Sequence, residues 1–269
     1  MTAARLGVSF VVLCCLPMFA QTRKATTPVL PGHLHTPFDP TSVRLTAHFM
    51  GHDVVSLYKD YEAIRTAEKT EFETTDQFNK RIQLARTKVV MGSVAEATIL
   101  AFVVPVESEY DADARSLTVG VQCSNPHGEQ KKVSDSIGVS RRTTHREYVA
   151  SNAFGVKVNV QETDVESFHI AVDNPDDFPI ATAKYLILSS IESAPDPARK
   201  IKSTVSALAV CSIQSGEEAT SDDFILSKAT FDDPHEYFEQ MHFLKTKLLA
   251  VWFFDSTSGK IYAKVETNK

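Results

Sequence analysis

Apolar residues recur at helical spacing in two stretches of the first hundred residues. One stripe follows Asp53, a good helix N-cap, and consists of Val54, Leu57, Tyr61 and Ile64. The other follows Thr74 and consists of Phe78, Ile82, Ala85 and Val89. We expect two helices that pack as an antiparallel pair, because the segment between them is short. Their stripes should be buried against each other and against the rest of the chain.

The second helix carries a capping box. Thr74 is followed three residues later by Gln77, so each side chain can bind a backbone N–H of the first turn. Phe72 and Phe78 flank the cap and are expected to contact each other as a hydrophobic staple. The polar side of this helix is either a solvated face or a docking face for an acidic partner. Its basic residues are Lys80, Arg81 and Arg86.

From residue 93 onward the pattern is that of strands separated by turns. Residues 99–106 are apolar on both faces, which predicts a buried strand. Alternation predicts half-buried strands at 117–123, 156–161 and 168–172, with a turn near Thr163 and Asp164 between the last two. Further strands are predicted at 148–150, 184–191, 205–213, 224–231, 248–254 and 261–265. Residues 131–145 and 232–243 show no firm period.

These elements predict an α+β fold, in which an N-terminal helical pair packs on a mainly antiparallel β-sandwich or open barrel. The helical pair takes residues 43–92 and the antiparallel β domain takes residues 93–269. Residues 21–42 are rich in Thr and Pro, which predicts an extended and poorly ordered leader. The last two strands are joined by a hairpin loop in which Gly259 takes the position that needs a positive φ.

The first twenty residues have the pattern of a secretory signal peptide. Arg5 precedes a short apolar segment that ends at the small residue Ala20, where we expect cleavage. The segment is too short to span a bilayer comfortably, and no later apolar run is long enough for a membrane span. Lipidation at Cys14 or Cys15 is the alternative. The protein is therefore expected in the periplasm or outside the cell.

The composition excludes several classes of function. The net charge of −6 leaves no basic footprint for nucleic acid. The sequence contains neither the G-x-S-x-G motif of serine hydrolases nor the H-E-x-x-H motif of zinc proteases. Only 10 of 269 residues are Gly, and none forms a phosphate-binding loop. The sequence thus assigns no catalytic residue and no cofactor.

Cysteine and histidine suggest two further features. After signal cleavage only Cys123 and Cys211 remain, and they form either a disulfide or two buried free thiols. The spacings H-x-H and H-x3-H can bind zinc, and the weak metal candidates are His33, His35, His48 and His52. No carboxylate or Cys completes that set. Asp111 and Asp113 match only half of a calcium loop, which favours a solvated turn.

The segment around the capping box resembles one found in uncharacterised exported bacterial proteins. The residues that carry the resemblance are Glu71, Phe72, Glu73, Thr74, Phe78 and Arg81. The similarity extends to Tyr110-Asp111, to the run from Ser151 to Gly155, and to a late hairpin through Trp252 and Gly259. The resemblance implies an architecture and an exported location, and it implies no activity.

Two classes of function follow from the sequence. The first is a non-catalytic exported domain that binds a protein, an envelope component or a small ligand. The second is a hydrolase without a recognised signature, which requires ionisable residues to converge in a pocket. For the hydrolase, the places to examine are the loops around Asp111, around residues 141–146 with their cluster Arg141, Arg142 and Arg146, and around residues 152–155.

Overall fold

The computed structural model describes residues 32–87, 98–123, 135–151, 154–181, 186–213 and 219–267. The helices in these ranges are α1 (Val54–Arg65), α2 (Thr75–Thr87) and α3 (Pro195–Thr204). The strands are β1 (Ile99–Val104), β2 (Glu107–Asp111), β3 (Ser116–Gln122), β4 (Ser136–Ser151), β5 (Lys157–Val172), β6 (Ile180–Ala181), β7 (Leu186–Glu192), β8 (Val205–Ile213), β9 (Thr220–Ser227), β10 (His235–Asp255) and β11 (Ile261–Glu266). The signal peptide predicted at residues 1–20 lies outside the described residues.

The strands form two sheets, and the larger one is curled into a half-barrel. Its seven strands follow the order β1-β8-β10-β5-β4, with β9 and β11 also paired to β10. The smaller sheet has the order β2-β3-β7-β6. All the described strand pairs are antiparallel except β10 with β5, which is parallel. The α+β fold with N-terminal helices on a mainly antiparallel, barrel-like sheet is thus confirmed.

The 21-residue strand β10 organises the larger sheet. Its first half lies between β5 and β9, and its second half lies between β8 and β11. Alternate residues of the second half therefore face two separate cores. Val251 and Phe253 belong to the inner core, whereas Trp252 and Phe254 belong to an outer core that the N-terminal segment covers. A strand buried on both faces has no polar side, which explains its continuous apolar run.

The described part of the predicted leader is packed onto the sheet. The Phe38 N–H donates to the Ile99 carbonyl at 2.8 Å, and the Phe38 ring meets Trp252 edge-on at 5.2 Å. Leu45 is also buried, and its N–H donates to the Gly259 carbonyl at 2.9 Å. The expectation of a poorly ordered leader is therefore wrong from Gly32 onward, because Phe38 of this Pro-rich segment, followed by Leu45 just beyond it, packs into the outer core.

Helix α1 begins where its N-cap predicts. The Asp53 carboxylate accepts from the Val55 N–H at 3.0 Å, and the helix buries Val54, Leu57, Tyr58 and Tyr61 against the sheet. Helix α2 shows the predicted capping box. The Thr74 N–H donates to Gln77 Oε1 at 2.8 Å, and the Gln77 N–H donates to Thr74 Oγ1 at 3.2 Å.

The other expectations for α2 are only partly met. Phe72 is 92% exposed, so the predicted staple with Phe78 is wrong. Its offset is one residue longer than a staple requires, and Phe72 therefore points away from the first turn. Phe78, Ile82 and Ala85 are half-buried, and Val89 lies outside the described residues.

The structure corrects the predicted strands in three regions. Strand β9 lies at Thr220–Ser227 and not at 224–231, β10 already begins at His235, and the largest change concerns β4 and β5. Strand β4 covers most of the segment that had no firm period, and β5 runs without a break through Thr163 and Asp164, where a turn was predicted. Val160 is buried as expected, but Val156 is 49% exposed.

The described residues form one compact unit. None of the helices in the described ranges is long and apolar enough to cross a bilayer.

Candidate functional site

A cleft of about 360 Å³ lies at the seam of the half-barrel, where the first residues of β4 meet the ends of β1 and β3. Its polar lining comes from three neighbouring strands: Ser136 and Arg141 on β4, Ser167 and His169 on β5, and Glu239 on β10. A β-bulge between Gly138 and Ser140 interrupts the β4–β5 ladder here. Bulges of this kind commonly redirect side chains beside a binding site.

The floor of the cleft is a short polar chain centred on His169. His169 Nε2 lies 3.0 Å from Ser167 Oγ, and Nδ1 lies 3.5 Å from Ser136 Oγ. Both serines are buried, with 2% and 5% of their surface exposed. Burial lowers the pKa of His169, so the neutral ring prevails at neutral pH. Ser167 lies within a regular strand and not on a strained, exposed turn, so it is poorly placed as a nucleophile.

The rim of the cleft holds two opposite charges joined by a tyrosine. Arg141 Nη2 donates to the Tyr237 hydroxyl at 3.0 Å, and that hydroxyl donates to Glu239 Oε2. Arg141 Nη2 lies 3.7 Å from the same carboxylate oxygen. Burial and the carboxylate raise the pKa of Tyr237, so it remains a donor. Glu239 is only 8% exposed, whereas the Arg141 side chain is 57% exposed.

A second polar cluster attaches α1 to the sheet. The Tyr58 hydroxyl donates to Asp222 Oδ1, which lies 2.7 Å from His242 Nδ1. Arg65 reaches Asp222 Oδ2 at 3.3 Å, and the His242 ring stacks on Phe168 at 4.7 Å. Burial and the Asp222 hydrogen bond raise the pKa of Tyr58. Because every member contacts its neighbours within the fold, this cluster acts as a structural clamp on α1.

The third feature is the long hairpin of β4 and β5. From Ser140 to Val149 every β4 residue is exposed, and β10 begins pairing with β5 only at Gln161. The described outer part of the hairpin, residues 148–151 and 154–160, therefore extends past the end of β10; we call it the arm. Large apolar residues are exposed at the arm and at the adjoining end of β9. They are Tyr148, Val149, Phe154, Val156, Phe224, Leu226 and Phe231.

The predicted metal ligands do not form a metal site. His52 is buried with both ring nitrogens engaged: Nδ1 accepts from the Ala101 N–H at 3.0 Å, and Nε2 donates to the Thr36 carbonyl at 2.9 Å. His48 is exposed, and its spacing to His52 is not helical because α1 starts only at Val54. Among the described residues no three His, Cys, Asp or Glu side chains are arranged to hold a metal, so the expectation for His33 and His35 also fails.

Both remaining cysteines are free, buried thiols that lie too far apart for a disulfide. Cys123 and Cys211 line the same inner core but belong to different sheets. Burial raises the pKa of each thiol to about 12. Of the two alternatives that the sequence left open, the structure has the free thiols, and it makes them unreactive.

The predicted basic face of α2 is largely neutralised. Arg81 pairs with both carboxylate oxygens of Glu73 at 2.9 Å, and it also donates to the Glu68 carbonyl at 3.0 Å. Lys80 is exposed and Arg86 is half-buried. With its central guanidinium committed to a neighbouring carboxylate, this face has less charge available for an acidic partner than the sequence indicated.

Of the segments to be examined for a hydrolase, the two that are fully described belong to different sheets. Asp111 ends β2 in the smaller sheet, and its carboxylate accepts the N–H groups of Asp113 and Ala114, as a solvated turn does. Residues 141–146 are not a loop but the middle of β4 in the larger sheet. Of residues 152–155, Asn152 and Ala153 lie outside the described residues.

Sequence reasoning missed Ser167, His169 and Glu239. The first two share one face of a strand because they are two residues apart, and that spacing was the only local signal. Glu239 reaches them through the parallel pairing of β10 with β5, which no local pattern reveals.

Comparisons with known proteins identify neither a family nor a function for the chain. No protein family model, no curated protein and no solved structure matches the chain. A function must therefore be argued from the geometry of the described residues, since a fold by itself would not supply one.

Proposed function

We propose that the protein is an exported, non-catalytic binding protein that captures an extended acidic segment of a partner protein along the edge of β4. The observation that carries the proposal is the 16-residue length of this edge strand. Among the described strands β4 pairs only with β5, so beyond the cleft, where β4 meets the ends of β1 and β3, its second edge has no hydrogen-bonded strand beside it. An unpaired edge can accept an added strand, which is a common mode of peptide recognition.

The charge of β4 indicates what such a strand would carry. The middle of β4 contains Arg141, Arg142, His145 and Arg146. Arg146 is paired with Glu162, and Arg141 is engaged at the cleft. Arg142 makes no hydrogen bond or ion pair within the described ranges. An exposed, unpaired guanidinium on an edge strand favours an approaching carboxylate.

The same charges disfavour a second copy of this chain. If two β4 strands paired antiparallel about the Thr143–Thr144 centre, Arg141 of each copy would lie opposite Arg146 of the other. Like charges directly opposite each other destabilise a strand pair. The exposed apolar residues of the arm extend the surface beyond the basic centre, so an acidic segment with apolar flanking residues fits better.

The test uses two labelled eight-residue peptides, one alternating Thr with Glu and the other alternating Thr with Lys. Fluorescence anisotropy should show binding of the acidic peptide only, weakening as salt rises. Arg142→Glu should reduce the affinity about tenfold, because an attraction is replaced by a repulsion. Lys200→Glu makes the same charge change on α3, near the other end of β10, and should leave the affinity unchanged.

Hydrogen exchange distinguishes an added strand from loose electrostatic attraction. On binding the acidic peptide, alternate amides of β4 should become protected, because only every second N–H points away from β5. Equal binding of the two peptides, no binding of either, or no protection of β4 would each overturn the proposal.

The exported location is part of the same proposal. We propose that the first twenty residues direct export and are removed after Ala20, as their pattern and the resemblance to exported bacterial proteins support. The mass of the protein recovered from the periplasm should correspond to a chain that begins at Gln21. A mass that includes residues 1–20, or one increased by a lipid on Cys14 or Cys15, would contradict this assignment.

A further inference from the structure

We propose that the cleft around His169 binds a small zwitterion with an apolar side chain, namely a free amino acid of the leucine type. This inference does not depend on the partner proposed for β4, because it is argued from the residues that line the cleft and is tested with a different ligand. It rests on the charges of the rim, on one carboxylate oxygen without a hydrogen-bond partner among the described residues, and on the size and lining of the cleft.

The rim presents two opposite charges side by side. The Arg141 guanidinium and the Glu239 carboxylate are separated by 3.7 Å between their nearest atoms, and both line the cleft. An α-amino acid carries its ammonium and carboxylate on one carbon, so the two ligand charges can meet the two rim charges at once. A guanidinium has five N–H donors, and Arg141 spends only one on Tyr237, which leaves donors for a ligand carboxylate.

Glu239 supplies the more specific part of the argument. Its Oε2 accepts from Tyr237, whereas its Oε1 has no hydrogen-bond partner among the described residues and is not fully enclosed by protein. The residue as a whole is 8% exposed and lines the cleft, so Oε1 is an acceptor that a ligand in the cleft can reach. A ligand ammonium placed there would donate a charge-assisted hydrogen bond to this carboxylate.

The interior of the cleft suits an apolar side chain of modest size. Pro105 and Val139 supply apolar lining, and Ser167 with His169 supplies polar lining; Ile137 also borders the cleft, but its side chain is 1% exposed and belongs to the inner core. The volume of about 360 Å³ lies at the lower end of the range for small-molecule sites, roughly 300–1,000 Å³. That volume admits a single amino acid more readily than a nucleotide, whose phosphates Glu239 would also repel.

The experiment is calorimetric titration of the purified protein with L-leucine and two matched analogues. 3-Methylbutylamine keeps the ammonium and the apolar chain but lacks the carboxylate, whereas 4-methylpentanoate keeps the carboxylate and lacks the ammonium. Saturable binding of leucine is expected, with each analogue bound at least tenfold more weakly. Glycine, which lacks the apolar chain, should also bind more weakly.

Three variants assign the binding to the cleft. Glu239→Gln and Arg141→Gln should each weaken leucine binding at least tenfold, and Glu239→Gln should no longer distinguish leucine from 4-methylpentanoate. Arg142→Gln is the matched control, because it removes a neighbouring charge of β4 that does not line the cleft, and it should bind leucine normally. Arg141 is on the exposed rim, so its variant remains informative even if Glu239→Gln does not fold.

Several results would overturn the inference. They are no binding of leucine to the folded wild-type protein, equal binding of leucine and either analogue, or an equal loss of affinity in Arg141→Gln and Arg142→Gln. None of these results bears on the β4 edge, which is tested with peptides. The two proposals therefore stand or fall separately.

Discussion

Replacing Asp255 by Asn should destabilise the protein at neutral pH, and the loss should become smaller in acid. Asp255 ends β10 and is 6% exposed. Its Oδ1 accepts from the Thr257 N–H at 2.9 Å, the Thr257 hydroxyl at 2.6 Å and the Ser258 N–H at 2.9 Å. Its Oδ2 accepts from the hydroxyls of Thr204 at 3.0 Å and Tyr262 at 2.9 Å. One carboxylate thus connects α3, the hairpin loop and β11.

The size of the expected loss of unfolding free energy follows from which hydrogen bonds of Asp255 an Asn side chain can still make. Its amide oxygen can still accept the three donors of the turn, but its NH₂ group faces two hydroxyls that must reverse from donor to acceptor. A hydrogen bond to a charged group contributes about 1.5–3 kcal/mol, against roughly 0.5–1.5 for a neutral one. We therefore expect Asp255→Asn to cost about 2 kcal/mol of unfolding free energy. Asp255→Ala should cost more, because the donors then have no acceptor.

The pH dependence has a defined sign. Burial alone would raise the pKa of Asp255, but its hydrogen bonds from Thr257, Ser258, Tyr262 and Thr204 outweigh burial and lower the pKa well below its usual value. A carboxylate whose pKa is lower in the folded state stabilises the fold above its unfolded pKa of about 3.9, and it loses that contribution as the pH falls toward the folded pKa. The difference between wild type and Asp255→Asn should therefore be constant near pH 7 and should shrink below about pH 4.

Urea unfolding at pH 7 and at pH 3 measures both effects. Asp111→Asn is the matched control, since Asp111 also accepts two backbone N–H groups in a turn but is exposed. It should change stability by less than about 0.5 kcal/mol. A loss below about 0.5 kcal/mol for Asp255→Asn, or a loss of equal size at both pH values, would refute the reasoning.

Three further predictions concern glycine, histidine and cysteine. Gly259→Ala should cost more than about 3 kcal/mol in urea unfolding, because φ is +71° and an added Cβ would lie 2.0 Å from the Leu45 carbonyl oxygen. Gly155→Ala, at φ +78° with nothing within 4 Å, should cost only the backbone strain of about 1 kcal/mol, and equal losses would contradict the steric argument. His52→Ala should lower stability at pH 7 and less at pH 5. Burial lowers the folded pKa of His52, so the stabilisation is complete above the unfolded pKa of about 6.5 and declines below it; an equal loss at both pH values would contradict this. Cys123 and Cys211 should react with a thiol reagent only after denaturation, so reaction in the native protein would show that burial does not protect them.

The sequence predicts most of the elements whose environment is uniform along their length. Strand β8 was predicted at 205–213 and occupies Val205–Ile213, because both of its faces are buried. Asp53 and the Thr74 box predicted the starts of both helices, because a helix cap is a local interaction. The Gly259 turn was predictable for the same reason.

The elements that the sequence did not predict depend on distant partners. Strand β4 has no apolar alternation, because it is exposed on both faces over most of its length, and only its pairing with β5 makes it a strand. The burial of Phe38 depends on Trp252, which lies more than two hundred residues later. The cleft likewise needs the parallel register of β10 with β5 to bring Glu239 near His169. No local period encodes such pairings.

The two ends of β10 differ in their surroundings. The Asp255 end lies in the core of the fold, whereas the His235 end lies near the surface that we propose binds a partner. At its Asp255 end the strand is covered on both faces, by the inner core and by the N-terminal segment, and the single carboxylate there has all its hydrogen bonds made. At its His235 end the larger sheet ends in β9 on one side and, beyond β5, in β4 on the other. Among the described strands neither has a partner on its outer edge, and both carry exposed apolar residues. A two-stranded ribbon with both faces in water is marginally stable by itself. Cross-strand contacts such as Arg146 with Glu162 hold the ribbon but bury little apolar surface. The arm therefore contributes little to the stability of the fold. Its large apolar residues remain exposed, so a partner that covered the arm would bury this apolar surface, and that burial would stabilise the complex.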